Sequence, residues 1–302
     1  MPTGNQSGRT AVFPVSDYDL DGTLESGQAF RWEVRGDASE GVIGDQWVRL
    51  KMTTAGIHAE AAAPQHDWHW LEEFLQIKVN IADVLQTFPD DEPMRCAVAS
   101  CRGLRLLRQQ PWECLASFIL SSTKQIVQIR EIVRLLTERF GRRVIAPSQS
   151  GPTHAFPSAE RIAACSETEL RACKMGFRAP YLLKTAQMIV SDVVNLEDIR
   201  SLPLSEARER LLLFPGVGRK IADCVLLFGY GFPKAFPVDV WIMRALRELY
   251  FPQKRKVTPQ RILEFSERHF GPYGGYAQQY LFHYMRTKHI SNNRDKAARS
   301  AQ

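Results

Sequence analysis

The first part of the chain alternates short runs of strand-forming residues with turn residues. From about residue 11 to 63 these runs are AVFPV, QAFRWEV, GVIG, QWVRLKM and GIHAEAA, and they predict a small antiparallel sheet. From DWHWLEEFLQI onward the apolar period becomes helical, with Trp70, Phe74 and Ile77 at positions i, i+4 and i+7. The predicted fold is therefore α+β, with a small N-terminal antiparallel β-sheet domain followed by a mainly α-helical domain.

The same patterns divide the chain into three segments. Residues 1–95 are predicted to form the β-sheet domain with flanking helices, and residues 96–290 the helical domain. Residues 291–302 are polar, small and charged, so we expect a disordered tail. Within the helical domain, Pro111 is expected to begin one helix and Gly141 to end another.

Composition and charge narrow the class of protein only slightly. The 302 residues are 44% hydrophobic and carry a formal net charge of +6, which favours an anionic partner but also occurs in proteins that never bind nucleic acid. The polar start of the chain lacks an apolar signal, and no later stretch approaches the ~20 apolar residues of a membrane helix. We therefore expect an intracellular protein that does not contact a membrane.

The cysteines and histidines do not follow the spacing of a metal site. The six cysteines form no CxxC pair, which fits reduced thiols, and the histidines form no HExxH or zinc-finger spacing. No cysteine follows Cys224, which counts against a C-terminal four-cysteine iron–sulfur cluster. The expectation is a protein with no metal ion and no cofactor.

A glycine-rich turn joins two apolar helical patterns in ARERLLLFPGVGRKIADCVLLFGYG. Gly216 and Gly218, separated by Val217, allow a tight hairpin whose backbone N–H groups point outward at the start of the second helix. Such groups, together with the helix dipole, bind phosphate without reading sequence. A plain helix turn capped by glycine is the commoner origin of a lone GxG, but the flanking apolar runs and the basic pair that follows favour a DNA contact.

Two charged residues near this turn suggest chemistry. Lys220 lies in the first turn of the second helix beside Arg219, where the helix dipole and the like charge both disfavour protonation, and a neutral amine there is suited to nucleophilic attack. The alternative is a solvated lysine that binds phosphate. Asp239, in FPVDVWIMRAL, is predicted to be a helix N-cap. Its carboxylate would also stabilise the positive charge that develops when an N-glycosidic bond breaks.

Five separated motifs resemble those of the eukaryotic-type 8-oxoguanine DNA glycosylases, in the helix-hairpin-helix glycosylase superfamily. They are ESGQAFRW, LRLLRQQPWECLASFILSS, KMGFRAPYL, PGVGRKIADC and YAQQYLF, in the family's order over about residues 12–290. The separation of 19 residues between Lys220 and Asp239 also matches. The resemblance implies a helix-hairpin-helix motif over about 204–229, with Lys220 as the attacking amine and Asp239 as its carboxylate partner.

The resemblance also implies how the damaged base is recognised. Gly27 matches the glycine whose carbonyl accepts a hydrogen bond from the N7 hydrogen of oxidised guanine. Gln278 and Phe282 match the residues that read the Watson–Crick edge of the extruded base and stack on its face, and their spacing puts them on one side of a helix. Cys224 matches a cysteine that pairs with the lysine across the flipped purine. Without the resemblance, these would be a turn glycine, a surface glutamine and two core residues.

Contacts to the rest of the DNA are implied in the same way. Phe177 matches a wedge inserted into the gap left by the flipped base, and Arg178 matches an arginine that contacts the orphaned base. Their ordinary interpretation is a core aromatic beside a solvated arginine. The backbone of Gly216, Val217 and Gly218 is expected to grip the DNA strand.

The chain departs from the family at three positions. Thr123 and Gln128 stand where an asparagine and a second arginine usually contact the orphaned cytosine, and Trp241 stands where a phosphate-contacting histidine is usual. Each lost donor set removes on the order of 1–3 kcal/mol of discrimination. A relaxed preference for cytosine opposite the lesion is therefore predicted, and Trp241 is given no role.

The function implied by the resemblance is excision of 8-oxoguanine from double-stranded DNA by a monomeric glycosylase with AP lyase activity. Lys220 would attack C1′, and the resulting Schiff base would lead to strand cleavage by β-elimination. One alternative is a monofunctional alkyl-base glycosylase, which uses the aspartate without a catalytic lysine. The other is a non-catalytic helix-hairpin-helix DNA-binding protein, which leaves Asp239 unexplained.

Overall fold

A five-stranded antiparallel sheet forms the N-terminal part of the structure, as the alternating pattern predicts. The computed structural model describes residues 8–122, 124–252 and 257–300, with the backbone alone at 259 and 290–300. The strands are β1 (Gly8–Phe13), β2 (Trp32–Arg35), β3 (Ala38–Ile43), β4 (Gln46–Thr53) and β5 (Gly56–Gln65). Their order across the sheet is β1-β5-β4-β3-β2. Tight turns at Gly36 and Gly44, which have φ of +63° and +59°, join β2 to β3 and β3 to β4.

Helices cover one face of this sheet and then form the rest of the chain. Helices α1 (Leu20–Glu25) and α2 (His69–Leu75) pack their apolar residues against strand residues such as Val48, Leu50 and Ile57. Helix α1, capped by Asp19, lies between β1 and β2 and was not predicted from the sequence. Its stretch is only six residues long, too short for a helical period to be evident.

The remaining helices surround a second and larger apolar core. They are α3 (Ile81–Leu85), α4 (Glu92–Ser100), α5 (Pro111–Leu120), α6 (Ile126–Phe140), α7 (Ala159–Ala163), α8 (Glu167–Arg171), α9 (Ala179–Val190), α10 (Leu204–Leu212), α11 (Arg219–Val225), α12 (Val240–Tyr250), α13 (Pro259–His269) and α14 (Gly274–Ser300). Short 3-10 helices occupy Gly176–Arg178 and Asp198–Ser201, and a π-helical turn, Leu226–Tyr230, continues α11. Pro111 begins α5 and Gly141 caps α6, as predicted.

Two features bear on the predicted segments. Helix α4 spans residue 95, and its buried Met94 and Ala97 belong to the helical core, so the helices just after α2 pack with the second half of the chain. Helix α14 continues to Ser300, whereas a disordered tail was predicted from residue 291. Over 291–300 the backbone is helical, and the segment contains no glycine or proline while its alanines, lysine and arginines favour helix. Residues 301 and 302 lie outside the described residues.

Candidate active site

The helix-hairpin-helix motif is formed by α10, the turn at Phe214–Gly218 and α11. Gly216 has φ of +76°, and a Cβ there would lie 2.6 Å from Tyr181 Cδ2, so the turn requires glycine. Gly218 is the N-cap of α11 and has open space around its Cα. Within the described residues, the N–H groups of Gly216 and Gly218 donate no hydrogen bond. The turn therefore presents unsatisfied donors at the positive end of a helix, an arrangement suited to phosphate oxygens.

A buried ion pair holds the two helices of the motif together. Arg208 Nε on α10 donates to Asp223 Oδ1 on α11 at 2.7 Å, and the Asp223 side chain is only 2% exposed. Arg219 lies 3.7 Å from the other carboxylate oxygen and also pairs with Glu267 at 2.7 Å. Burial raises the pKa of Asp223, whereas Arg208 lowers it. The angle between the helices is therefore fixed by a charge pair shielded from water.

Lys220 lies in the first turn of α11 and extends toward the end of α5. Its Nζ donates to Ser121 Oγ at 3.3 Å and lies 5.0 Å from the centre of the Phe118 ring. Ser121 in turn donates to the Phe118 carbonyl at 2.7 Å. Ser121 lies within the motif that ends FILSS, but nothing in its local pattern links it to a lysine 99 residues later. The structure thus adds a contact that sequence reasoning missed.

Asp239 is the N-cap of α12, as predicted. Its Oδ1 accepts a hydrogen bond from the Ile242 N–H at 2.8 Å. Burial raises the pKa of Asp239, while the Ile242 N–H and the Lys220 cation lower it. Lys220 and Asp239 form no ion pair in the described part of the chain. The Lys220 charge nevertheless lies close enough to lower the pKa of Asp239. The carboxylate remains available to stabilise a cation that forms between them.

Cys224 lies one turn after Lys220 and belongs to the same cluster. It is 3% exposed, and burial raises the pKa of its thiol to about 12, although the Lys220 cation lowers it and Asp239 raises it further. At neutral pH the group is therefore an uncharged thiol. The structure brings Lys220, Cys224 and Asp239 within electrostatic reach of one another, and Lys220 and Cys224 lie one helical turn apart.

Helix α14 carries Gln278 and Phe282 on one side. Gln278 is 4% exposed, and its Nε2 donates to the Pro237 carbonyl at 3.0 Å, two residues before Asp239. Its Oε1 is buried without a hydrogen-bond partner among the described residues. Phe282 is half-buried against the helical core. Because an unsatisfied buried acceptor is costly, Gln278 Oε1 is suited to receive a donor from a bound molecule.

The loop before β2 presents the backbone of Gly27. Its φ is +85°, and a Cβ there would lie 2.6 Å from a side-chain carbon on α6, so the position requires glycine. The carbonyl of Ser26 accepts a hydrogen bond from Gln279 Nε2 at 3.3 Å, and that of Gln28 accepts one from Gln109 Nε2 at 2.7 Å. The carbonyl of Gly27 accepts none from any residue that the structure describes. It is therefore an available acceptor between two that are already bonded.

The predicted wedge and its neighbour lie in the 3-10 helix before α9. Phe177 is 53% exposed, which is unusual for a phenylalanine and suits an insertion role. Arg178 is 2% exposed, so its ordinary interpretation as a solvated arginine is wrong. Its guanidinium lies 4.2 Å from the centre of the Phe177 ring and donates to the carbonyls of Ser122 and, at 3.3 Å, Met175. Arg178 is thus tied to the end of α5, next to the Ser121 that contacts Lys220.

Two of the three positions that depart from the family can be described in the structure. Thr123 lies outside the described residues. Gln128 is exposed, and its Oε1 accepts the Gln125 N–H at 3.1 Å in a capping box that begins α6. The Trp241 ring packs edge-on against His289 at 5.1 Å.

In the described side chains, no group of three or more His, Cys, Asp or Glu residues is placed to hold a metal ion. No helix among the described residues is long and apolar enough to cross a membrane.

Two family models together cover most of the chain. Residues 11–115 match the model described as "8-oxoguanine DNA glycosylase, N-terminal domain". Residues 116–271 match the model described as "HhH-GPD superfamily base excision DNA repair protein". The boundary between them falls within α5, which packs in the helical core beside α11.

Individual relatives match over nearly their full length. The chain is 32% identical to the "Probable N-glycosylase/DNA lyase" of Methanothermobacter thermautotrophicus, covering 90% of this chain and 95% of that one. It is 29% identical to the "N-glycosylase/DNA lyase OGG1" of Arabidopsis thaliana over 92% and 81% of the two chains. The solved Clostridium acetobutylicum 8-oxoguanine glycosylase/lyase, in complex with dsDNA containing cytosine opposite 8-oxoG, aligns with a TM-score of 0.84 at 30% identity, over 90% and 93%. The chain therefore belongs to the HhH-GPD superfamily of base excision DNA repair proteins.

Proposed function

We propose that this protein is a bifunctional DNA glycosylase and AP lyase that excises 8-oxoguanine from duplex DNA in base excision repair inside the cell. The observation that carries the proposal is the position of Lys220, which lies in the first turn of α11 at the helix-hairpin-helix turn, beside Cys224 and within electrostatic range of the half-buried Asp239. A lysine serving only as a phosphate contact needs no such carboxylate. Nucleophilic attack at a sugar carbon needs both groups.

The chemistry follows from these two side chains. After loss of a proton, the Lys220 amine attacks C1′ of the flipped nucleotide, the N-glycosidic bond breaks, and the base leaves with the bonding electrons. Asp239 stabilises the positive charge at the sugar as that bond stretches. Loss of a proton from the amine and opening of the sugar ring give a protonated Schiff base, which makes the C2′ hydrogens acidic. Removal of one of them expels the 3′ phosphate and cuts the strand.

Two oxygens that accept no hydrogen bond among the described residues, the Gly27 carbonyl and Gln278 Oε1, would bind the base. The Gly27 carbonyl is suited to the N7 hydrogen, which 8-oxoguanine has and guanine lacks. The Gln278 Oε1 is suited to the donors on the Watson–Crick edge of the purine. Phe282 would stack on the base from the same side of α14. Guanine would instead place the N7 lone pair against the Gly27 carbonyl, which is repulsive.

Grip on the DNA would come from backbone and wedge contacts. The hairpin N–H groups and the start of α11 bind strand phosphates, and the exposed Phe177 fills the space that the base vacates. Arg178 would reach the orphaned base only after leaving the carbonyls of Ser122 and Met175. We also propose a relaxed preference for the opposite base, because Gln128 is engaged in capping α6 and lacks an arginine's donors.

The test is a nicking assay on a duplex with one 8-oxoguanine, followed by borohydride reduction. We expect strand cleavage without added alkali, and a covalent protein–DNA adduct when borohydride is present. A monofunctional alkyl-base glycosylase would leave uncut abasic DNA and no adduct, and a non-catalytic DNA-binding protein would leave the duplex intact. Either of those outcomes would overturn the proposed function.

A further inference from the structure

Buried side chains hold the loop around Gly27 on both sides. Gln279, 3% exposed, donates to the Ser26 carbonyl, and Gln109, 8% exposed, donates to the Gln28 carbonyl. The Gln28 side chain is fully buried and bonds four further groups, which are Thr23 O, Ser26 Oγ, Arg105 O and the Leu107 N–H. The carbonyl of Gly27 is thus left free within a loop whose other polar groups are largely satisfied.

This loop needs external restraint because its centre is a glycine. Glycine has no Cβ and loses more backbone freedom on ordering than any other residue, so an unrestrained carbonyl at Gly27 would sample several directions. Hydrogen bonds to the carbonyls before and after it limit rotation of the peptide between them. Since the acceptor must meet a single hydrogen atom on the base, its direction matters as much as its presence.

Helix α14 supplies restraint and base contacts from different faces. Gln278 and Phe282 lie on one face, whereas Gln279 and Arg286, two turns apart, lie on another that faces the loop. Arg286 Nη1 donates to the Glu25 carbonyl at 3.1 Å. One rigid helix therefore sets the distance between the groups that would read the Watson–Crick edge and the carbonyl that would read N7.

We propose that Gln279 is a positioning residue for lesion recognition, which aims the Gly27 carbonyl by bonding the carbonyl of Ser26. The inference rests on the proposed function, in which Gly27 distinguishes 8-oxoguanine from guanine. Gln279 is 3% exposed, and the hydrogen bond that it donates among the described residues goes to the Ser26 carbonyl rather than to the lysine cluster. Its loss should therefore weaken recognition of the oxidised base and spare the reaction of Lys220 with a site that has no base.

The test compares two substrates for the variant Gln279→Leu, which keeps the size and burial of the side chain but removes the donor. On a duplex with 8-oxoguanine, we expect kcat/KM for excision to fall about tenfold. On a duplex with a preformed abasic site, where no base enters the pocket, strand cleavage should stay within about twofold. Gln279→Glu places an acceptor against the Ser26 carbonyl, so it should lower excision further than leucine does.

Controls separate this role from a general loss of structure. Borohydride trapping on abasic DNA counts the folded, competent enzyme in each preparation, and rates are expressed per trapped molecule. Gln260→Leu, which changes an exposed glutamine on α13 that bonds only Glu264 among the described residues, should change neither activity. Equal losses on both substrates, or unchanged excision by Gln279→Leu, would overturn the inference. Absence of excision by the unmodified protein would instead refute the proposed function.

Discussion

The Lys220 amine donates a hydrogen bond to Ser121 Oγ at 3.3 Å, and this contact links the helix-hairpin-helix motif to the end of α5. The Ser121 hydroxyl is itself directed by its bond to the Phe118 carbonyl, so it presents a lone pair to the amine. The same end of α5 receives the Arg178 guanidinium through Ser122. Lys220, the proposed nucleophile, and the proposed wedge region at Phe177 and Arg178 therefore share one anchoring segment.

Replacement of the lysine should separate binding from chemistry. In Lys220→Gln the side chain is one bond shorter, keeps an N–H donor and has no amine. We expect loss of borohydride trapping and a fall in strand cleavage by at least roughly 10³-fold, with DNA affinity reduced by less than tenfold. Single-turnover cleavage and a binding titration measure the two effects. Trapping that survives the substitution would assign the nucleophile to another residue.

Asp239→Asn should separate the electrostatic role of Asp239 from its structural role. Asparagine is as good an N-cap as aspartate, so the melting temperature should change little, whereas the excision rate should fall on the order of 10²–10³-fold. Because burial raises the pKa of Asp239, the wild-type rate should decline in acid at a higher pH than an ordinary carboxyl would give. The variant should lack that acidic limb. A pH–rate profile unchanged by the substitution would show that another group titrates there.

The buried ion pair between the hairpin helices gives a stability prediction. Arg208→Leu leaves the Asp223 carboxylate buried with only the more distant Arg219, and should lower the free energy of unfolding by roughly 3–5 kcal/mol. Burial already raises the pKa of Asp223, so its protonation favours the folded state, and the deficit should shrink as the pH is lowered. Urea unfolding at several pH values measures this.

The double variant Arg208→Leu with Asp223→Leu is the matched control for that prediction. It removes both charges and should recover much of the lost stability, because an apolar pair needs no desolvated partner. If the single and double variants were equally unstable, packing rather than charge would account for the loss.

Opposite-base preference tests the departures at Thr123 and Gln128. Excision of 8-oxoguanine set against C, A, G and T should vary less than about tenfold in kcat/KM, because two donor sets are missing. Gln128→Arg should increase the preference for cytosine by up to about 1–3 kcal/mol, although arginine cannot accept the Gln125 N–H and the start of α6 loses that capping bond. A strong cytosine preference in the unmodified protein would contradict the prediction.

Sequence reasoning located the elements whose signals are local. The strands, the hairpin glycines, the Asp239 cap and the i, i+4 pairing of Lys220 with Cys224 all depend on neighbours within a few residues. The contacts of Ser121, Gln279 and Arg178 depend on how distant segments pack, and a single sequence carries no local sign of them. Arg178 is the clearest case. It is buried where the 3-10 helix packs against the end of α5, and there its guanidinium donates to the Ser122 carbonyl.

The Gly27 loop and the helix that restrains it, α14, lie near opposite ends of the sequence. The loop precedes β2, whereas Gln278, Gln279 and Phe282 come more than 250 residues later, as the separation of 253 between Ser26 and Gln279 shows. The groups proposed to bind the purine therefore come from both ends of the chain. Exchange of one half for that of a distant homologue would keep both apolar cores but would change the direction of the Gly27 carbonyl relative to Gln278 and Phe282.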